Sequence, residues 1–208
     1  MKVCIDAGHG GADVGALGPT GLKESDMSLD VCKRIQRLLQ PHVDVVMTRD
    51  KDEFLTLTER AEICNKHGCS VFLSYHFNSA QSLLANGWEI FTTKRDNNSD
   101  KLATRIGEEH AVQFPSQYAR NDWTDGDLDK EANFAVIRLA NCASVLMEGE
   151  FIHTHMGEEF IKDEANRQKM AVAAANGICE YLGIDRNSTG TLTTDERLVR
   201  LERFLGIA

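Results

Sequence analysis

The chain has 208 residues, a formal net charge of −9 and 42% hydrophobic residues, the balance of one ordinary globular domain that buries its own core. That acidity excludes a basic phosphate-binding face, so no nucleic-acid partner is expected. No apolar run is long enough to span a bilayer, so membrane insertion is not expected either.

The first residues, Met1 to Asp6, run directly into a strand with no charged segment followed by an apolar leader, so synthesis in the cytoplasm without a signal peptide is predicted. Val3 to Asp6 reads as a buried strand, followed by a glycine-rich loop through Gly21. Ser25 is the expected N-cap of a helix with Leu29, Cys32, Ile35 and Leu39 at helical spacing, ended by Pro41. A strand at Val43 to Thr48, a helix at Thr58 to Lys66 after a capping threonine, and a central strand at Val71 to Tyr75 come next. Trp88 to Thr92 reads as a strand, Asp96-Asn97-Asn98 as a polar turn, and Ser99 to Phe114 as a helix. Tyr118 to Asp129 is a polar surface loop, Ser144 to Met147 a strand, and Glu159 to Leu182 one long final helix. Strands alternating with helices predict a single α/β domain, a mostly parallel or mixed twisted sheet flanked by helices. After Gly183 a linker precedes a capping box, Thr193-Thr194-Asp195-Glu196, and a short amphipathic helix carrying Leu198, Leu201 and Leu205. The expected division is 1–183 for the main domain and 184–208 for linker and helix, the latter folded back on the core, leading into a wall-binding element, or serving self-association as a homo-oligomer.

Six cysteines (Cys4, Cys32, Cys64, Cys69, Cys142, Cys179) are scattered through apolar segments without a CxxC pair. They read as buried free thiols, without disulfides and without zinc-ribbon spacing.

Four segments carry candidate chemistry. Cys4-Ile5-Asp6-Ala7-Gly8-His9-Gly10-Gly11 places a histidine in a flexible loop at a strand's carboxyl end, where α/β folds open into a crevice. Gly21-Leu22-Lys23-Glu24-Ser25 puts a carboxylate at a helix start, where it would also complement the helix dipole. Phe72 to Asn78 ends a buried strand on His76, and Val145 to Phe151 ends another on Glu148. Two histidines and a glutamate with an open fourth position form a catalytic zinc set, and a further carboxylate is what a zinc hydrolase uses as base. His9, Glu24 and His76 are thus the predicted ligands of one Zn2+ at the carboxyl ends of the strands, and Glu148 the catalytic carboxylate.

In combination and order these segments resemble the zinc-dependent N-acetylmuramoyl-L-alanine amidases of bacterial autolysins and phage endolysins. Asp6-Ala7-Gly8-His9-Gly10-Gly11 matches the family's D-x-G-H-G-G loop, and Gly21-Leu22-Lys23-Glu24 its G-x-x-E element. Ser74-Tyr75-His76-Phe77-Asn78 matches S-x-H-x-N, and Met147-Glu148-Gly149-Glu150-Phe151-Ile152-His153-Thr154 resembles V-E-x-G-F-I-S-N. Thr48-Arg49, Leu57-Thr58-Glu59-Arg60 and Asn133 to Arg138 are smaller echoes, and the similarity covers roughly residues 1 to 183. The resemblance implies hydrolysis of the amide between N-acetylmuramic acid and L-alanine in peptidoglycan, in an open groove. Asn78, Arg49, Arg120, Trp123 and Glu150 are candidate substrate or supporting groups.

Glu150 stands where the family has glycine, and reads either as a solvated charge or as a carboxylate that raises the pKa of Glu148 and competes with it as base. His153 and His155 are open between substrate contact and plain surface. Two other readings are a cysteine hydrolase using Cys64 or Cys69 with His67 or His76, and a non-catalytic wall-binding module on the same fold. A leaderless amidase suits action on the cell wall after a holin-dependent or lytic release.

Overall fold

The structure, a computed structural model, describes residues 1–94, 98–124 and 126–184, together with 198, 199 and 202. Val3, Cys4, Ile5 and Ala7 have no solvent exposure, because β1 (Lys2–Ala7) runs through the interior of a sheet covered on both faces. Its neighbours are β2 (Asp44–Met47) and β3 (Val71–Asn78), both parallel to it. β3 pairs in parallel with β6 (Ala143–Phe151), which pairs antiparallel with β4 (Glu89–Thr92); β4 carries the two-residue β5 (Lys130–Glu131) at the edge. The order β2-β1-β3-β6-β4-β5 is the mixed α/β sheet that the alternating pattern implied.

Helices α1 (Glu24–Leu39), α3 (Asn98–Gln113) and α6 (Glu164–Tyr181) cover one face and enclose the main core around Leu73, Tyr75, Trp88 and Ile178. On the other face, α2 (Leu57–Lys66) and the single-turn α4 (Ala135–Arg138) close a smaller core with Cys4, Phe72 and Leu146. The carboxyl ends of β1, β3 and β6 therefore open at one edge, and registry sets what meets there. Asp6 lies opposite Ser74, and His76 opposite Glu148.

Several boundaries differ from the periodicity. α1 begins at Glu24 with Lys23 as N-cap, and Ser25 is buried in the first turn. The N–H groups of Glu24 and Ser25 are bonded by the carbonyls of Ala16 and Val14 instead of by a capping side chain. The loop itself caps the helix. Thr56 caps α2 in a capping box with Glu59. The expected long final helix is two, α5 (His155–Lys162) and α6, divided at Asp163, whose extended backbone ends one while its Oδ1 accepts from Ala165 N–H to start the other. Asp96, Asn97 and the capping box at 193–196 lie outside the described residues, as does the expected terminal helix apart from residues 198, 199 and 202. No helix among the described residues is long and apolar enough to cross a membrane.

Candidate metal centre

Three elements bring the predicted ligands together. His9 sits in the loop after β1 in a left-handed conformation (φ 59°), the one non-glycine residue with positive φ among the described residues. Such strain in a loop persists where the surroundings over-determine it. Glu24 is the first residue of α1, and His76 stands near the end of β3. His9 Nε2 lies 3.1 Å and His76 Nδ1 3.0 Å from the same oxygen, Glu24 Oε1. One donor atom from each of the three residues lies within 4.8 Å of the others. Glycines make room: a Cβ on Gly15 would sit 2.6 Å from Glu24 Oε2, and one on Gly8 would overlap the His76 ring.

The outer partners decide what each imidazole offers. His9 Nδ1 is 2.9 Å from Asp13 Oδ2, an acceptor, so that nitrogen carries the proton and Nε2 presents a lone pair to Glu24. His76 Nε2 is 3.1 Å from Ser74 Oγ, whose own proton goes to Asp6 Oδ2 at 2.6 Å. Ser74 therefore accepts from His76 Nε2–H, and Nδ1 presents its lone pair to the same Glu24 oxygen. Three lone pairs converging on one point repel unless positive charge sits among them. This donor set fits a divalent cation of the zinc type. The pKa values report the same field. Burial opposes the charged form of His9, but Glu24 first and Asp13 second raise its pKa above the usual value. Burial would raise Glu24, yet without a cation the two imidazoles take up protons and donate to it, and these hydrogen bonds from His76 and then His9, with their charge, hold Glu24 well below the usual carboxylate range.

Beneath the ligands, Asp6 is fully buried and accepts from Thr48 Oγ1 (2.6 Å), Arg60 Nη1 (2.9 Å) and Ser74 Oγ. Arg60 also donates to the carbonyls of Ala7 and His9, at 2.6 and 2.7 Å. Arg49, 2% exposed, donates to the carbonyls of Ala7, Gly8, Ser25 and Lys51. It ties the His9 loop to the start of α1 and points no group outward. The arginine at position 60 was visible in the sequence only as part of a motif; its role required knowing that α2 packs under the loop.

Glu148 faces the ligands from β6. Its Oε2 is out of solvent contact and has no hydrogen-bond partner, and burial, then the charges of Glu24 and Glu89, raise its pKa well above the usual value. Glu89, its cross-strand neighbour on β4, is neutralised by Arg120 and by Lys130 at 2.9 Å. Glu150 is turned elsewhere. The register passes from His76↔Glu148 to Asn78↔Phe151, so β6 carries one extra residue, a bulge that ends the two-residue alternation. Glu150 is 5% exposed, and its oxygens accept from the N–H groups of Gly87 and Phe151, both at 2.8 Å, and from Gln117 at 2.9 Å. That satisfied carboxylate holds neighbouring loops together, unlike the unpartnered oxygen of Glu148.

Around this edge, Asn78 closes β3 with its Oδ1 accepting from Ser79 N–H, Arg120 stacks over Phe151 at 5.2 Å, and Trp123 is exposed. His153, His155 and Met156 line a cleft of about 490 Å³ together with Leu83 and Leu84, built from the segments that follow β6 and β3. The thiols considered for cysteine chemistry lie on the other face of the sheet, in the smaller core. The Cys142 contact works to lower the Cys64 pKa, but Cys4 and burial leave it raised, the opposite of an activated nucleophile.

Two histidines and a carboxylate aimed at one point, beside an unpaired carboxyl, are the arrangement of metal-dependent hydrolases. Comparison with known proteins defines which. Residues 3–180 match the N-acetylmuramoyl-L-alanine amidase family. The amidase AmiA of Salmonella typhimurium is 30% identical over 217 residues, covering 86% of this chain and 75% of that protein. The endolysin of Bacillus phage SPP1 is 29% identical, over 93% of this chain and 70% of the endolysin. The solved structure of the amidase AmiC2 of Nostoc punctiforme superposes with a TM-score of 0.80 at 31% identity, covering 88% of this chain and 97% of that one. The chain belongs to the N-acetylmuramoyl-L-alanine amidase family and is an enzyme of that class.

Proposed function

We propose that this protein is a zinc hydrolase that cuts the amide bond between N-acetylmuramic acid and L-alanine in peptidoglycan, and that it lyses the wall after leaving the cytoplasm. The observation that carries the reading is the convergence of His9 Nε2, His76 Nδ1 and Glu24 Oε1 in front of the unpartnered Oε2 of Glu148. The names of the relatives support the substrate, and the phage endolysin among them supports wall lysis.

His9, Glu24 and His76 would hold the metal, with Asp13 and Ser74 fixing the imidazole tautomers. Bound zinc would acidify water, polarise the amide carbonyl and favour ionised Glu148 against the burial and negative charge that raise its pKa. Glu148 then accepts the proton of the attacking water at its free oxygen and returns it to the departing amine. Arg120 and Lys130 bind Glu89, which limits the negative charge next to Glu148. Asn78, Trp123 and the cleft lined by Leu83, Leu84 and Met156 contact the substrate, whose glycan and peptide extend beyond any closed pocket. Arg49 and Glu150 support from behind, through backbone N–H and carbonyl groups.

The test is Glu148→Gln. It should retain zinc at wild-type stoichiometry while release of free amino groups from purified cell walls falls at least ~100-fold. Wall hydrolysis at a normal rate in that variant would remove Glu148 from the mechanism.

A further inference from the structure

Four of the six cysteines, far apart in the sequence, meet at one place unconnected with the metal centre. Cys4 comes from β1, Cys64 from the last turn of α2, Cys69 from the turn before β3, and Cys142 from the residue preceding β6. The sulfurs of Cys4, Cys64 and Cys69 all lie within 4.8 Å of one another, and Cys142 Sγ is 3.6 Å from Cys64 Sγ. Cys32 and Cys179 lie apart, in the main core on the opposite face.

We propose that Cys4, Cys64, Cys69 and Cys142 form a second zinc site, a structural thiolate centre that staples α2 to the amino ends of β3 and β6. A tetrahedral zinc–tetrathiolate with Zn–S near 2.3 Å has sulfur–sulfur edges of about 3.8 Å. The Cys64–Cys142 separation already has that length, and no separation among Cys4, Cys64 and Cys69 exceeds it by more than about 1 Å; Cys142 stands outside that trio and must turn its sulfur towards Cys4 and Cys69 to close the fourth corner.

Local structure explains why the spacing works without a CxxC pair. Cys64 and Cys69 bracket the C-terminus of α2, where Gly68 takes a left-handed conformation (φ 61°) and Cys69 N–H bonds back to the Cys64 carbonyl at 3.3 Å. The helix-ending turn folds the chain on itself and returns the second sulfur to the first. That four-residue spacing lies within the range of zinc-ligand pairs. β1 and the approach to β6 then bring Cys4 and Cys142 to the same point.

The rim gives access, while burial works against the free thiolates. Cys4 and Cys64 have no solvent exposure, but Cys69 is 9% exposed and Cys142 is half-buried, which leaves an entry route at the rim. Burial disfavours the Cys69 thiolate, and the nearby Lys2 ammonium partly offsets this. Each thiol that ligates releases its proton to solvent, so zinc affinity rises with pH. A cluster of buried thiols used only as small apolar side chains needs no such mutual approach. Closing a site between α2, β1 and the entries to β3 and β6 would stabilise the smaller core, where few large side chains pack.

The experiment is zinc titration of the full chain, stripped of metal and kept reduced, read by equilibrium dialysis and elemental analysis. Wild type should bind two zinc ions per chain. Cys64→Ser/Cys142→Ser should bind one and keep wall hydrolysis, whereas His76→Ala should bind one and lose it. Cobalt in the His76→Ala protein should give the near-ultraviolet thiolate-to-cobalt absorption, which keeps the test decisive if the cysteine variant fails to fold. Wild type binding one ion, with the same stoichiometry in the cysteine variant, overturns the proposal, as does a cobalt spectrum without thiolate character. A Cys64–Cys142 disulfide in protein isolated without reductant also overturns it. Zinc lost on cysteine substitution but not in His76→Ala would uphold this site and sink the assignment of the catalytic one.

Discussion

Asp6→Asn is a demanding test of how this site is held. In the fold Asp6 has no exposure, and its carboxylate accepts from Thr48, Arg60 and Ser74. Asparagine keeps one acceptor oxygen and presents an NH2 group to donors, so at least one donor loses its partner, and Arg60, 3% exposed, loses its counter-charge. Breaking a buried ion pair from one side costs about 3–5 kcal/mol, against a domain stability of about 5–15 kcal/mol. With a urea slope of about 2–3 kcal/mol per molar, the unfolding midpoint should fall by about 1–2 M with little change in slope. Ser74 also loses the acceptor that fixes its hydroxyl, so His76 Nε2 loses a defined partner, and zinc affinity should fall about 10–100-fold. Asp6→Asn/Arg60→Met should recover part of the stability, and only part, because Arg60 also holds the carbonyls of Leu55, Ala7 and His9. A midpoint shift below about 0.3 M would refute the argument that this buried carboxylate organises the site.

Ser74→Ala should leave the fold nearly intact and weaken zinc binding about 10–100-fold by calorimetric titration, because it removes the partner of His76 Nε2; unchanged affinity would contradict the tautomer argument. Gly15→Ala forces a Cβ to 2.6 Å from Glu24 Oε2 and 2.7 Å from His9 Cδ2 at φ 68°, so it should cost about 1–2 kcal/mol in backbone strain and displace two ligands, seen as lost zinc binding. Burial first, and the neighbouring Asp127, raise the Asp129 carboxyl to about 7. The unfolded chain releases that proton near pH 4 while the fold retains it, so this group makes stability fall as pH rises from about 4 to 7, and the loss then levels off. Asp129→Asn should flatten the slope in that window and be more stable than wild type at pH 8 by up to ~4 kcal/mol, measured by urea unfolding; an unaltered slope would exclude Asp129 as its source.

The sheet and the convergence of the three candidate ligands were legible because both leave local signatures. Buried strands read as β-branched and aromatic runs, and His9, His76 and Glu148 stand where those runs end. Glu24 was legible as an acid at a helix start, yet the N-cap was placed two residues late, at Ser25, because the real caps are carbonyls of Ala16 and Val14 from a loop whose path periodicity does not describe. The break at Asp163 was hidden for a related reason: one extended residue between two helices barely disturbs an apolar pattern. The choice between Glu148 and Glu150 depended on a bulge in β6, which exists only in relation to the partner strand. The Cys4–Cys64–Cys69–Cys142 cluster was invisible for the same cause, since four separate segments build it. Lys130–Glu131 and Ala135–Arg138 are too short to carry a period.

The central claim, that His9, Glu24 and His76 serve a metal-dependent cut at a particular amide, is tested most directly by mass spectrometry of purified peptidoglycan digested with the enzyme. With zinc present, the products should be glycan strands bearing free lactyl carboxyl groups and stem peptides with a free N-terminal L-alanine. Chelator should abolish both, and added zinc should restore them. Cleavage within the glycan or between stem residues, or the same products in stripped enzyme with chelator, would contradict the account.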